Sequence, residues 1–255
     1  MPDEALKKFI KNTDFFQGLD EKTCDSIIKN TTSSLFSKGK ILFIADEPAQ
    51  YFYLVRSGYV KLFRETLDGA QAILDILSAG HLLGETAIFQ DNTYPYSAEI
   101  IETSDIITLP LASLKAELEH SPALAHAFLK HMTKIREKQE KDLEHRSLQN
   151  APQRIGCFLL RLCPLDHKDP VTLHLPYDKT LIAGRLGMQP ETFSRALKRL
   201  RTETGLEIQG STITIPCIQT LSDYTCVACS SSFPCKDPHS TDTTEPKRVC
   251  NHHQG

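Results

Sequence analysis

The spacing of apolar positions divides the chain into segments of different kinds. Near the start, Phe9, Ile10, Phe15, Phe16 and Leu19 stand among polar residues and predict one or two short helices. From Leu35 to Leu111 the pattern becomes short alternating runs such as ILFIAD, YFYLVRSG and YVKLFRE, punctuated by Gly39, Gly58, Gly69, Gly80 and Gly84. Many short strands with regular turns predict a β-roll or jelly roll. Ser121-Pro122 then offers an N-cap and a first-turn proline, and no further proline or glycine occurs before Pro152. One helix of about 28 residues follows from that. Along it Ala125, Phe128, Met132, Ile135, Gln139, Asp142 or Leu143, and Arg146 keep a spacing of three to four. Such a narrow seam on a charged helix predicts pairing with a second copy of the chain. The alternative is a helix that lies on its own β-roll.

After Asn150 a helix carries Ile155, Phe158, Leu159 and Leu162 on one face and ends at Cys163-Pro164; the strand VTLHL and the capping residue Asp178 come next. The stretch LIAGRLGMQPETFSRALKRLR, residues 181–201, has the spacing of a helix-turn-helix. Ala183 is small where two helices cross, Gly187 supplies the turn, and Leu186, Phe193 and Ala196 face inward. Pro190 suits the first turn of the second helix, where a missing N–H leaves no bond unmade. Glu191, Ser194 and Arg195 then project together from that helix. Arg195 can bond O6 and N7 of guanine, Glu191 can accept from the cytosine amino group, and Ser194 can donate, accept or touch a thymine methyl. Arg185, Lys198, Arg199 and Arg201 add cations that can hold phosphates on either side. The following LEIQGSTITI alternates about Gly210-Ser211, a pair suited to a II′ hairpin, so the unit reads as a winged helix that binds double-stranded DNA.

Composition narrows the reading. A formal charge of −3 excludes a generally basic nucleic-acid coat. Between Arg185 and Arg201, however, five basic residues stand against Glu191 alone, a local patch of the sign DNA requires. No stretch has the roughly 20 apolar residues of a membrane span, and the first residues lack the pattern of a secretory signal, so a cytoplasmic protein without a membrane partner is expected. No nucleophile with a paired base, phosphate loop or helical His-Glu-x-x-His occurs, so the chain is not expected to be an enzyme. The organisation is α+β: a sensing β-roll over residues 1–120, a dimerisation helix over 121–150, a winged helix over 151–222, and a Cys/His-rich tail over 223–255.

Two motifs carry a family resemblance. GETAIF, Gly84 to Phe89, followed by YPYSAE, Tyr94 to Glu99, is similar to an effector-binding cassette, and PETFSR, Pro190 to Arg195, is similar to a recognition helix. Together with the order of elements they resemble the CRP/FNR family of bacterial transcription regulators, in its FNR-like branch. The resemblance implies a homodimer that acts on RNA polymerase from a palindrome like TTGAT-N4-ATCAA, read by Glu191, Ser194 and Arg195. It places an effector pocket at Gly84, Glu85, Tyr96 and Ser97. Members that bind cyclic AMP pair its phosphate with an arginine, where this chain has Tyr96. A phosphate would lose its bidentate partner there, so cyclic AMP is not the expected ligand, and Glu85 is expected to be structural.

Four of the eight cysteines, Cys226, Cys229, Cys235 and Cys250, lie in the tail. Cys226 and Cys229 form a Cys-x2-Cys pair whose thiolates can reach one metal or cluster. The tail resembles that of Bacillus-type relatives, which implies a redox-, oxygen- or nitric oxide-sensitive [4Fe–4S] cluster on Cys226, Cys229 and Cys235. Its fourth ligand is open between Cys250 and Asp142. Zinc on Cys226, Cys229, Cys250 and His252 or His253 is an alternative, as is a reduced tail without metal. A haem in the β-roll on His81 is a further sensor reading drawn from the same family. Outside regulation, the tail would suit an electron-transfer or metal-storage protein. Cys24, Cys157, Cys163 and Cys217 are expected to be packing residues.

Overall fold

A computed structural model describes residues 3–164, 169–175, 178–231 and 233. Two compact units divide between Thr133 and Lys134, inside the longest helix.

The first unit opens with helices α1 (Glu4–Lys11) and α2 (Glu21–Ile28), whose first turns are closed by Asp3 and Asp20. These aspartates accept the backbone N–H groups of Leu6 and Thr23, donors that have no partner within their helices. Strands β1 (Thr32–Phe36), β8 (Ser104–Pro110), β3 (Tyr51–Ser57) and β6 (Leu82–Leu83) form one antiparallel sheet in that order. Strands β2 (Ile41–Phe43), β7 (Ser97–Ile100), β4 (Val60–Glu65) and β5 (Gln71–Leu77) form the other. Phe52, Leu54, Val60, Leu83, Ala98, Ile100, Ile107 and Leu109 are buried in a single cluster with Ile10, Phe16 and Ile27 of the N-terminal segment. That is the β-roll with its helical lid of apolar side chains. A helix α3 (Leu111–His120), which the alternation did not announce, follows β8 and buries Leu111 and Leu114.

Helix α4 (Pro122–Leu148) has the predicted start, with Ser121 Oγ accepting the N–H of Leu124. The expected seam is corrected at its N-terminal end. Phe128 is buried among Phe15 and Phe89, with ring centroids at 5.9 and 5.1 Å, and Met132 packs on the same core. Burying a phenyl ring contributes about 1.5–3 kcal/mol, which holds Phe128 on the β-roll. The leucines that α4 leaves bare are Leu129, Leu143 and Leu148, each more than 60% exposed. Leu129 and Leu143 are two heptads apart and share one face.

The second unit holds α5 (Ala151–Leu162), whose Asn150 and Gln153 form a reciprocal capping box. Strand β9 (Val171–His174), helices α6 (Lys179–Arg185) and α7 (Pro190–Thr204), and the hairpin β10 (Glu207–Gln209) and β11 (Thr212–Ile215) follow, the three strands pairing in the order β10-β11-β9. Gly210 has φ +62 while Ser211 stays outside the left-handed region, the combination a II′ pair needs. Helix α8 (Ile218–Cys226) runs four residues into the segment expected to lack periodicity, because Leu221, Ser222 and Thr225 are buried against α5. The contact is tight at Gly156, where a Cβ would lie 2.2 Å from Thr225 Oγ1. Gly156→Val is therefore expected to lower stability by about 1–3 kcal/mol, seen as a lower urea midpoint at unchanged slope.

Candidate nucleic-acid interface and sensor residues

Helix α7 separates its two faces cleanly. Phe193, Ala196, Leu197 and Leu200 are buried with Ile182 and Ala183 of α6, while Glu191, Ser194, Arg195, Lys198, Arg199 and Arg201 are exposed. The buried set recurs at helical spacing and fixes the rotation of the helix, which leaves Glu191, Ser194, Arg195 and Lys198 as one outward stripe. Pro190 opens the helix and Gly205, at φ +71, closes it in the left-handed conformation. Ser194 Oγ donates to Pro190 O at 2.9 Å, so its proton is engaged within the helix and the oxygen keeps its capacity to accept. Gly187 takes φ +65 in the turn between α6 and α7, as expected of that glycine.

Arg185 is placed differently from the other cations. Its side chain is 11% exposed and its Nη2 donates to Asp142 Oδ2 at 2.6 Å. Arg161 Nη1 lies 3.7 Å from the other oxygen of the same carboxylate. Asp142 thus ties α4, α5 and the first helix of the motif together, and Arg185, expected among the phosphate-holding cations, is engaged inside the unit instead of standing with the exposed Lys198, Arg199 and Arg201. Arg146 approaches the motif turn as well, its guanidinium 3.6 Å from where a Cβ on Gly187 would stand.

The described part of the tail docks on the same turns of α4. Ser230 donates its N–H and its hydroxyl to Glu144 at 2.7 and 2.9 Å, and Lys141 Nζ donates to the hydroxyls of Ser230 and Ser231. The Ser230 N–H is the main reason that the Glu144 carboxyl is held down to about 2. Cys229 Sγ lies 3.5 Å from His145 Nε2, and Lys141 also reaches that sulfur. Arg161 Nη2 donates to His145 Nδ1 at 3.4 Å, which leaves the ring proton on Nε2, facing Cys229. Burial, followed by Arg161 and Lys141, pushes the imidazole below its ordinary range, so the ring is neutral. Cys157, 7% exposed on α5, places its sulfur 3.9 Å from both ring nitrogens. Sequence reasoning took Cys157 for packing and missed His145, because neither belongs to a recognisable spacing.

Cys226 accepts the Ser222 hydroxyl at 3.8 Å, and the Cys229 N–H returns to Cys226 O in a turn. Both thiols are reduced and half-buried. Among the described residues no three His, Cys, Asp or Glu side chains converge as a metal site. Cys235, Cys250, His252 and His253 lie outside the described residues. Cys24 and Cys163 are buried as expected, whereas Cys217 is corrected from a packing residue to a disulfide-bonded one. Its isolated place before α8 gave no spacing by which a bond could have been read.

In the β-roll, Gly84 (φ +83) donates its N–H to the Tyr96 hydroxyl at 3.1 Å, and a Cβ there would come 3.0 Å from the Tyr94 ring. Burial, with Glu85 nearby, pushes the Tyr96 phenol up, so it remains protonated. Glu85 is 2% exposed; its Oε1 lies 3.1 Å from His131 Nε2 on α4, and its Oε2 is buried without a hydrogen bond. Ser97 Oγ accepts the Ala45 N–H. The cassette thus brings Gly84, Glu85 and Tyr96 together, with Ser97 bound to the neighbouring loop. His81 is half-buried, with Nδ1 3.0 Å from Ser78 O. Among the described residues no helix is long and apolar enough to cross a membrane.

Residues 34–121 match the family model of the cyclic nucleotide-binding domain, and residues 153–224 match that of the Crp-like helix-turn-helix domain. The fumarate and nitrate reduction regulatory protein of Vibrio cholerae is 29% identical over 70% of this chain and 72% of its own length. The transcriptional activator protein Anr of Pseudomonas aeruginosa is 28% identical over 77% of this chain and 80% of its own. Among solved structures, a candidate cyclic nucleotide binding protein of Ruegeria pomeroyi shares 32% identity and a TM-score of 0.64, covering 88% of this chain and 99% of that one. FixK2 of Bradyrhizobium japonicum, at 24% identity and a TM-score of 0.65, covers 78% of this chain and 99% of its own, and shares the fold.

Proposed function

Because the chain belongs to the CRP/FNR family of transcription regulators, we propose that it binds a TTGAT-N4-ATCAA-like palindrome as a homodimer and does so under redox control. The observation that carries the DNA reading is the exposed stripe of Glu191, Ser194 and Arg195 on a helix whose opposite face is locked in the core. A palindrome requires two such helices about one duplex turn apart, and hence a dimer. The bare leucines Leu129 and Leu143 are the side chains of α4 that would meet a second copy. Output passes through RNA polymerase.

The effector side rests on the tail. A [4Fe–4S] cluster bound by Cys226, Cys229 and Cys235 would supply an electron-accepting group sensitive to oxygen and nitric oxide. The described residues fit one corner of such a site: two reduced thiols joined by a tight turn, with the Lys141 ammonium beside one of them to balance thiolate charge. Asp142, a candidate fourth ligand beside Cys250, would have to release Arg185 and Arg161 to take that place. Cyclic AMP is disfavoured by Tyr96, which brings a phenol to the Gly84 N–H.

The test is purification without oxygen, iron and sulfide analysis, and gel shifts on the palindrome before and after air. Iron and sulfide in about equal amounts, with operator affinity that changes on air exposure, are expected. Colourless protein holding zinc would end the cluster reading and leave the DNA reading standing. Affinity indifferent to the palindrome's sequence would end the DNA reading.

A further inference from the structure

We propose that Cys229 and Cys157 form a dithiol switch, oxidised by a hydroperoxide in the metal-free protein and acting on the helix turns that hold the DNA-binding motif. This goes beyond the cluster reading, since Cys157 belongs to no tail motif and the switch needs no metal.

The geometry assigns the two sulfurs different tasks. Cys229 is half-buried and follows α8 on a segment held to α4 through side-chain bonds to Glu144 and Lys141, so an oxidant can reach it. Its sulfur receives the His145 Nε2–H at 3.5 Å and lies beside Lys141, whose ammonium is paired with Glu144. Cys157 is nearly enclosed, yet its sulfur lies 3.9 Å from the same Nε2 atom. Both sulfurs therefore rest against one imidazole.

In the first step the Cys229 sulfur attacks one oxygen of the hydroperoxide. The O–O bond breaks, the thiol proton goes to the departing alkoxide or hydroxide, and Cys229 becomes a sulfenic acid. The Cys157 sulfur then attacks that of Cys229; the S–S bond forms, the S–O bond breaks and water leaves with the Cys157 proton. Two thiols are oxidised by two electrons and one hydroperoxide is reduced to an alcohol, or to water when the oxidant is hydrogen peroxide. Drawing Cys229 towards α5 shifts Ser230 relative to Glu144, on the turns of α4 where Asp142 holds Arg185.

The experiment uses the full chain, stripped of metal by a chelator, with its free thiols kept reduced and the bond at Cys217 intact, then treated with a small excess of hydrogen peroxide. Peptide mapping after blocking of the remaining thiols is expected to find a Cys157–Cys229 peptide pair as the main new cross-link, in the wild type and in Cys226→Ser. Cys157→Ser is expected to retain the sulfenic acid on Cys229, trapped by dimedone. Operator affinity is expected to change at least threefold on oxidation of the wild type, to recover with dithiothreitol, and to stay constant in Cys157→Ser. A main cross-link between Cys226 and Cys229, or none involving Cys157 in the wild type, overturns the proposal whether or not the variants fold. An equal change of affinity in Cys157→Ser overturns the switch. Because no metal is present, none of these outcomes bears on the cluster reading, which the iron and sulfide analysis decides separately.

Discussion

Arg195→Ala is expected to abolish discrimination at the G·C pair of each half-site while leaving the residual affinity of the protein for any duplex largely intact. One bidentate arginine-guanine contact contributes about 1–3 kcal/mol of discrimination, and a dimer makes two, so the loss on the cognate palindrome is about 2–6 kcal/mol. Lys198→Ala provides the contrast. A phosphate contact carries no base information, so its removal weakens binding to all sequences alike and lowers the salt dependence by about one ion per copy. Gel shifts over a salt series, on the palindrome and on versions with the G·C pairs inverted, separate the two. If Arg195→Ala lowered affinity equally for cognate and inverted sites, the base-reading role of this stripe would fail.

Asp142→Ala is the second large effect. Its carboxylate lies between Arg185 and Arg161, whose side chains are 11% and 23% exposed, while Asp142 itself is 23% exposed. Removing one partner of a fully buried pair costs about 3–5 kcal/mol. Partial access of water reduces this to about 2 kcal/mol here. The expected result is a lower denaturant midpoint for the unit that contains α5 to α8 and a fall in operator affinity, because α6 loses its tether to α4. Asp142→Asn, which retains one acceptor oxygen, is expected to fall between the two. An operator affinity equal to wild type in a destabilised Asp142→Ala would show that the tether serves stability alone. Loss of iron from that variant would instead assign Asp142 to the cluster.

The recognition unit was legible because its constraints are local. Ala183, Gly187 and Pro190 each stand where backbone geometry admits few residues, and the alternation around Gly210 sets its own hairpin. The strands of the β-roll were legible for the same reason. What the pattern hid depends on contacts distant in sequence. Phe128 and Met132 fit a two-helix seam as well as they fit the roll, and only the presence of Phe15 and Phe89 decides between them. Arg185 looks like another cation of the DNA face until Asp142, more than forty residues earlier, is seen to hold it. His145 has no motif at all. It is recognised only once Cys157, Arg161 and Cys229 surround its ring.

The bare leucines of α4 have a consequence for dilute solution. A solitary copy wets Leu129, Leu143 and Leu148, and mass action alone governs how often that surface is covered. For the proposed dimer, at concentrations below its dissociation constant, operator occupancy falls with the square of protein concentration, so the number of copies per cell becomes a control in its own right. Halving expression would lower operator occupancy about fourfold.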